Sequence, residues 1–321
     1  MKYEKQIYNI ESCKNLLDAI KNCSHAIMIE SKDQLLLDGF ANLLILQDVC
    51  QFVKKPCFEC ANCQKVLNGN AVDVEIFGQE KSILVADSNK VVNDSFIVPL
   101  EFDKKYFLLK NFDRATEQAQ NKLLKVLEEP QRFDKFVLLT TNIDAVLPTI
   151  KSRTEIFHLP ILSDDNLFEI LKNEILEKEK LNKAISLSNG NLTKCLKILN
   201  DVDYFEMYNL CEKLVMFMTS SAQMLEYASE ILKFKEKLED FFKILLDLYV
   251  DLLKIKSQTS KQIDTKQNQL KIISSKYSEL AITKIIKEIN LATVKAKSKI
   301  STNEIVDNLL LKILEIRYLC K

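Results

Sequence analysis

"YFLLKNFDRATEQAQNKLLKVLEEP", residues 106–130, carries two hydrophobic periods back to back. Residues 106–110 form an apolar run of the length of a buried strand. After a polar turn, Ala115, Ala119, Leu123, Val126 and Leu127 recur at three- and four-residue spacing, so they share one helical face. Pro130 stops that helix. A strand that runs straight into a crossover helix is the repeating unit of a parallel sheet.

The same unit recurs on both sides. Strand-like runs lie at 25–29 ("HAIMI"), 72–77 ("VDVEIF"), 135–140 ("KFVLLT") and 155–159 ("EIFHL"), with helical patterns between them. Residues 1–160 therefore read as an α/β domain with a mostly parallel sheet. Beyond Pro160, "SDDNLFEILKNEILEK" opens with Ser163 as a helix cap and acidic residues in the first turn. "LNKAISLSNGNLTKCLKIL" reads as two short helices broken at Gly190. Residues 161–202 are expected to form a small helical domain. From 203 to 321 every segment reads as helix, apart from a polar loop at 257–268.

A chain of 321 residues suits two or three domains, and only 4 glycines and 5 prolines favour much helix. The net charge is zero but uneven. Residues 254–321 hold 14 basic and 6 acidic residues, so this segment carries +8 and the remainder −8. Such a basic segment suits either nucleic acid or a solvated helical face. The N-terminal residues are too polar for a secretory signal, and no run reaches the ~18 apolar residues of a membrane helix. A cytoplasmic protein is expected. In that compartment nine cysteines do not make a disulfide framework.

Four of those cysteines do form a pattern. "CQFVKKPCFECANC" places Cys50, Cys57, Cys60 and Cys63 at C-x6-C-x2-C-x2-C spacing. Two intervening residues let neighbouring thiolates turn back on one ion, and four thiolates complete a tetrahedral Zn²⁺ shell. With all four places taken by sulfur, no position remains for a reactive water, so the zinc is expected to be structural. Cys13, Cys23, Cys195, Cys211 and Cys320 are scattered and read as core residues.

A nucleotide-binding α/β domain needs a Gly-rich loop ending in Gly-Lys-Ser/Thr after its first strand. Here "IESKDQLLLDGFANLL" follows, and Leu36-Leu37-Asp38 stands in that place. Leucine brings no charge and Asp38 repels phosphate. In "YFLLKNFDRAT", Lys110 and Asn111 stand where a magnesium-binding Asp and a water-activating Glu would be. Both losses predict no ATP in this chain and no ATPase activity of its own. Alternatively, the chain never had a nucleotide fold.

The order of motifs resembles the bacterial clamp-loader family, the AAA+ subunits of the DNA polymerase III holoenzyme. "NKLLKVLEEP" resembles its Asn-x-Leu-Leu-Lys-x-Leu-Glu-Glu-Pro helix, and "LPTIKSRT" its Leu-Pro-x-Thr-Ile-x-Ser-Arg-Cys segment, with Thr154 in place of the Cys. The cysteines match its zinc module in type and order, with a slightly shorter first gap. Lys194, in "NGNLTKCL", stands where the family has a phosphate-sensing Arg. The match is close over about residues 20–200 and architectural beyond.

The resemblance implies a RecA-like AAA+ domain over 1–160 with a zinc module at about 48–66, a helical lid over 161–202 and a helical collar over 203–321. It implies a non-hydrolysing member of a hetero-oligomeric ring with ATPase and delta subunits, which loads the sliding clamp onto primer-template DNA in replication. Arg153, supported by Ser152, would then act in trans as an arginine finger on ATP held by a neighbouring subunit; otherwise Arg153 is a surface salt bridge. Two rival functions stand beside this one. The first is an ATP-hydrolysing subunit of the same family. The second is a zinc-ribbon nucleic-acid-binding protein, for which "KKPCFECANCQK" supplies three lysines and Phe58.

Overall fold

Five strands form where the apolar runs lie. They are β1 Ala26–Glu30, β2 Val74–Phe77, β3 Lys105–Leu109, β4 Asp134–Thr140 and β5 Glu155–His158. The computed structural model describes residues 3–21, 23–53, 55–79, 81–175, 177–256, 277–298 and 301–319. All four strand pairings are parallel, in the order β2-β3-β4-β1-β5. β1 lies between β4 and β5, with Ile27 beside Val137 on one side and Glu155 on the other. Every residue of β3 and β4 is buried. Helices cover both faces of such a sheet, which is why its strands read as continuous apolar runs rather than alternating ones.

The helices of this unit are α1 Glu4–Tyr8, α2 Glu11–Ile20, α3 Gln34–Val49, α4 Ala61–Leu67, α5 Val85–Asp94, α6 Glu117–Glu128, α7 Pro148–Lys151, α8 Asp164–Leu171, α9 Lys178–Ser188 and α10 Leu192–Asn200. α6 buries Ala119, Leu123, Val126 and Leu127 as its spacing predicts, and Thr116 caps it by accepting from the Ala119 N–H. These side chains join Met28, Phe107, Phe136 and Leu138 in one apolar cluster. Ser163 caps α8, and Asn189 and Gly190 adopt positive φ between α9 and α10. α1 and α2 are not anticipated above. They bury Ile7, Cys13, Leu17 and Ile20, and Glu4 accepts a bond from Asn42 of α3 at 2.9 Å.

The chain forms two compact units, Met1–Asn200 and Asp201–Lys321. The described part of the second is entirely helical: α11 Tyr204–Phe217, α12 Ser221–Ile231, α13 Leu238–Lys256, α14 Glu279–Ala296 and α15 Thr302–Leu319, with one 3-10 turn at Leu232–Lys237. Its core holds Phe241, Leu245, Tyr249, Ile282, Ile285, Ile289 and Ile313. The loop expected at 257–268, and Cys320, lie outside the described residues. Of the other scattered cysteines, Cys13, Cys195 and Cys211 are buried and Cys23 is partly exposed. No helix among the described residues is long and apolar enough to cross a membrane.

Candidate functional site

Only Ser31, Lys32 and Asp33 separate β1 from α3. A loop this short cannot wrap around phosphates. Its last residue instead supplies an anion from within the chain. The buried Asp33 carboxylate accepts from the N–H groups of Leu36 (3.3 Å), Leu192 (2.5 Å) and Thr193 (3.2 Å), and from the Thr193 hydroxyl (2.7 Å). The N-terminal ends of α3 and α10 thus converge on one negative group. That is where backbone N–H groups and helix dipoles favour a phosphate. Thr193 Oγ1 also accepts from Leu35 N–H, and Asn191 donates to the Lys32 carbonyl, so the loop is tied to α10 from both sides.

The strand that would carry magnesium ligands ends in a cation. Lys110 Nζ lies 3.0 Å from Asp38 Oδ1, and its side chain is only 8% exposed. Asn111 follows in a left-handed conformation and donates to the Gly78 carbonyl at 2.8 Å. Gly78 is itself at φ +75°, and a Cβ there would lie 2.2 Å from the Lys110 carbonyl oxygen, so no larger residue fits.

The four clustered cysteines come together. All four sulfurs lie within 4.8 Å of one another. Tetrahedral Zn–S bonds of about 2.3 Å require S···S separations of about 3.8 Å. Cys57 and Cys63 are already 3.9 Å apart. Backbone N–H groups point at the sulfurs, from Cys57 to Cys50 Sγ and from Cys60 to Cys57 Sγ, each at 3.3 Å. Such donors stabilise thiolates. Burial works to raise the Cys60 thiol, but hydrogen bonds from the backbone of Gln51 and Cys63 and from the thiols of Cys63 and Cys57 bring it down to about 6. Burial and the neighbouring Cys60 and Cys50 push Cys63 upward. Four thiols crowded this way share negative charge poorly without a cation, so the donor set fits a structural Zn²⁺. Cys50 ends α3 and Cys60 begins α4, which fixes the module to the domain at two points.

Arg153 sits on the turn after α7, and the surface salt bridge set out above does form. Arg153 Nε donates to Glu128 Oε1 at 2.5 Å, and its NH2 group meets the same oxygen. NH1 donates to the Thr149 carbonyl (2.9 Å) and to Ser152 Oγ (3.2 Å). Ser152 thus touches the guanidinium directly. Lys194 lies in the first turn of α10, where its N–H donates to the Asn191 side chain at 2.7 Å. Asp33, Thr193 and Glu128 are site residues the sequence motifs did not single out.

Comparison with known proteins places this geometry in context. The profile of the family described as DNA polymerase III, delta subunit, matches residues 9–163. A DNA polymerase III subunit delta' of Buchnera aphidicola subsp. Baizongia pistaciae (strain Bp) is 26% identical over 276 residues, 80% of this chain and 81% of that protein. The chain is similar to subunits of the DNA polymerase III clamp loader. Gamma subunits are also similar. That of Buchnera aphidicola subsp. Acyrthosiphon pisum (strain APS) is 28% identical over 58% of this chain and 55% of its own length. That of the subspecies Schizaphis graminum (strain Sg) is 30% identical over 48% and 44%. The chain spans about half the length of these gamma subunits.

Proposed function

We propose that this chain is the non-hydrolysing, delta-prime-type subunit of the bacterial clamp loader of DNA polymerase III. It assembles with ATPase and delta subunits and helps to load the sliding clamp onto primer-template DNA. Its α/β part is the RecA-like AAA+ domain (1–160), residues 161–202 are the lid and 203–321 the collar through which the ring assembles. The zinc module is structural.

One observation carries this: Asp33 fills the anion site at the converging ends of α3 and α10. A carboxylate held by four donors takes up N–H groups that a phosphate would need, and Lys110 in place of a metal ligand repels Mg²⁺. Arg153 then has no nucleotide in its own chain and serves one bound next door, with Ser152 bracing it. A guanidinium that bonds two phosphoryl oxygens stabilises the charge spreading in the transition state, worth a factor of about 10³–10⁵.

Similarity to gamma subunits favours a second reading, an ATP-hydrolysing subunit. Co-purification with candidate replication subunits, followed by ATPase assays of the assembled complex, separates the two. Arg153→Ala is expected to leave the complex assembled and lower clamp- and DNA-stimulated hydrolysis. Arg153→Lys is expected to restore only part of it, since lysine lacks the planar fork. Wild-type hydrolysis and clamp loading by Arg153→Ala would sink the trans role.

A further inference from the structure

An arginine finger needs its outer N–H groups free to meet a phosphate, and in this chain they are engaged. A guanidinium has five N–H donors. The Nε/NH2 edge faces Glu128, and NH1 bonds both the Thr149 carbonyl and Ser152 Oγ. The side chain is folded back on its own turn, and bidentate contact with another group requires it to leave Glu128.

Glu128 is itself out of place by local rules. It is the last residue of α6, followed by Glu129 and the helix-stopping Pro130. Acidic groups at a helix C-terminus meet the negative end of its dipole and weaken the helix. Local cost at a position with a specific long-range partner marks a residue kept for that partner. Arg153 and Glu128 are 25 residues apart, on the turn after α7 and the end of α6, and α6 packs on α7.

We propose that Glu128 is a latch that stows Arg153 while the subunit is alone and gives it up to the phosphate of the neighbouring nucleotide. The carboxylate imitates that phosphate: its Oε1 takes both Nε and NH2, the guanidinium edge that a phosphoryl oxygen would meet. Release is cheap because the pair is exposed to solvent, with side chains 33% and 46% accessible. The latch is therefore a bias that a doubly charged phosphoryl group overcomes, and it keeps the finger from binding stray anions. It rests on the trans role of Arg153 given above.

The test uses the assembled complex with ATP, clamp and primed DNA, comparing wild type, Glu128→Gln and Arg153→Ala. Glutamine keeps the shape and removes the charge, at a surface position that fills no core. Glu128→Gln is expected to raise kcat/KM for hydrolysis about two- to fivefold, the size of an exposed ion pair. That gain should shrink above about 0.3 M salt, where the pair is screened in the wild type too. A fall in kcat/KM toward the Arg153→Ala value overturns the latch, because Glu128 would then be aligning the finger. An unchanged rate, with Arg153→Ala impaired, also overturns it while leaving the trans role intact. If Arg153→Ala is itself unimpaired, the trans role fails and the latch with it. The Arg153 Nε–H signal by NMR of the isolated chain provides a measurement independent of the ring. Slow exchange in wild type and fast exchange in Glu128→Gln support the latch, and equal exchange overturns it.

Discussion

Lys110 Nζ lies 3.0 Å from Asp38 Oδ1, which pairs the residue standing for a metal ligand with the one standing for the Ser/Thr of a phosphate loop. Each alone would disable a nucleotide site, and together they neutralise each other where Mg²⁺ and phosphate would otherwise meet. The chain is expected to show no ATP binding in calorimetry with or without Mg²⁺. Micromolar, Mg²⁺-dependent binding would refute this. Asp38→Asn, which strands a largely buried lysine, is expected to cost about 1–3 kcal/mol of stability, read from the urea midpoint.

The zinc site makes a separable prediction. Purified protein should contain one zinc per chain. Structural zinc carries on the order of 10 kcal/mol of apparent binding free energy, so a lost ligand should empty the site. Cys60→Ser is expected to lose the metal while far-UV circular dichroism changes little, since α4, the helix that carries Cys63, is only seven residues long. Elemental analysis that finds no stoichiometric metal in protein purified without chelators would defeat the assignment.

The strands and the cysteine quartet were legible in the sequence for physical reasons. Strands buried on both faces become unbroken apolar runs, and thiols that share an ion must be closely spaced. α1 and α2 carried a signal too, since Ile7, Ile10, Cys13, Leu17 and Ile20 recur every three or four residues, among polar neighbours that mask it. Asp33 was not legible. An Asp before a helix reads as an ordinary cap, and its decisive partner Thr193 lies 160 residues away. Glu128 and Arg153 meet only once α6 and α7 have packed.

Asp134, at the start of β4, predicts a pH dependence. Its Oδ2 accepts from Gln131 N–H, whereas Oδ1 is buried without a hydrogen-bond partner among the described residues. Burial pushes its pKa from 3.8 to about 6, against the opposing effects of the Gln131 N–H, Lys105 and His25. The folded state therefore holds this proton more tightly than the unfolded one. Its contribution to stability is full below pH ~3.8 and is lost as pH rises through about 6. Asp134→Asn does not titrate. Its stability relative to wild type should rise between pH 4 and 6 and stay level above, as read from urea midpoints; a difference that ignores pH would contradict the assignment.

Asp33 yields the most direct test of an internal anion. Asp33→Ala removes the acceptor for three N–H groups and a hydroxyl at the ends of α3 and α10. Loss of the cap and of buried hydrogen bonds should cost about 2–4 kcal/mol. Asp33→Asn, which keeps an acceptor oxygen but not the charge, should fall between. In Asp33→Ala the converging N–H groups face an open space of the right sign for an anion. Phosphate or sulfate at tens of millimolar should then raise the melting temperature of Asp33→Ala more than that of wild type, while chloride at matched ionic strength should not. Salts that strengthen apolar burial act on both proteins alike, so the difference between them isolates the site. Equal shifts in the two proteins would mean that Asp33 is only a helix cap, and that the anion site it was taken to fill does not exist.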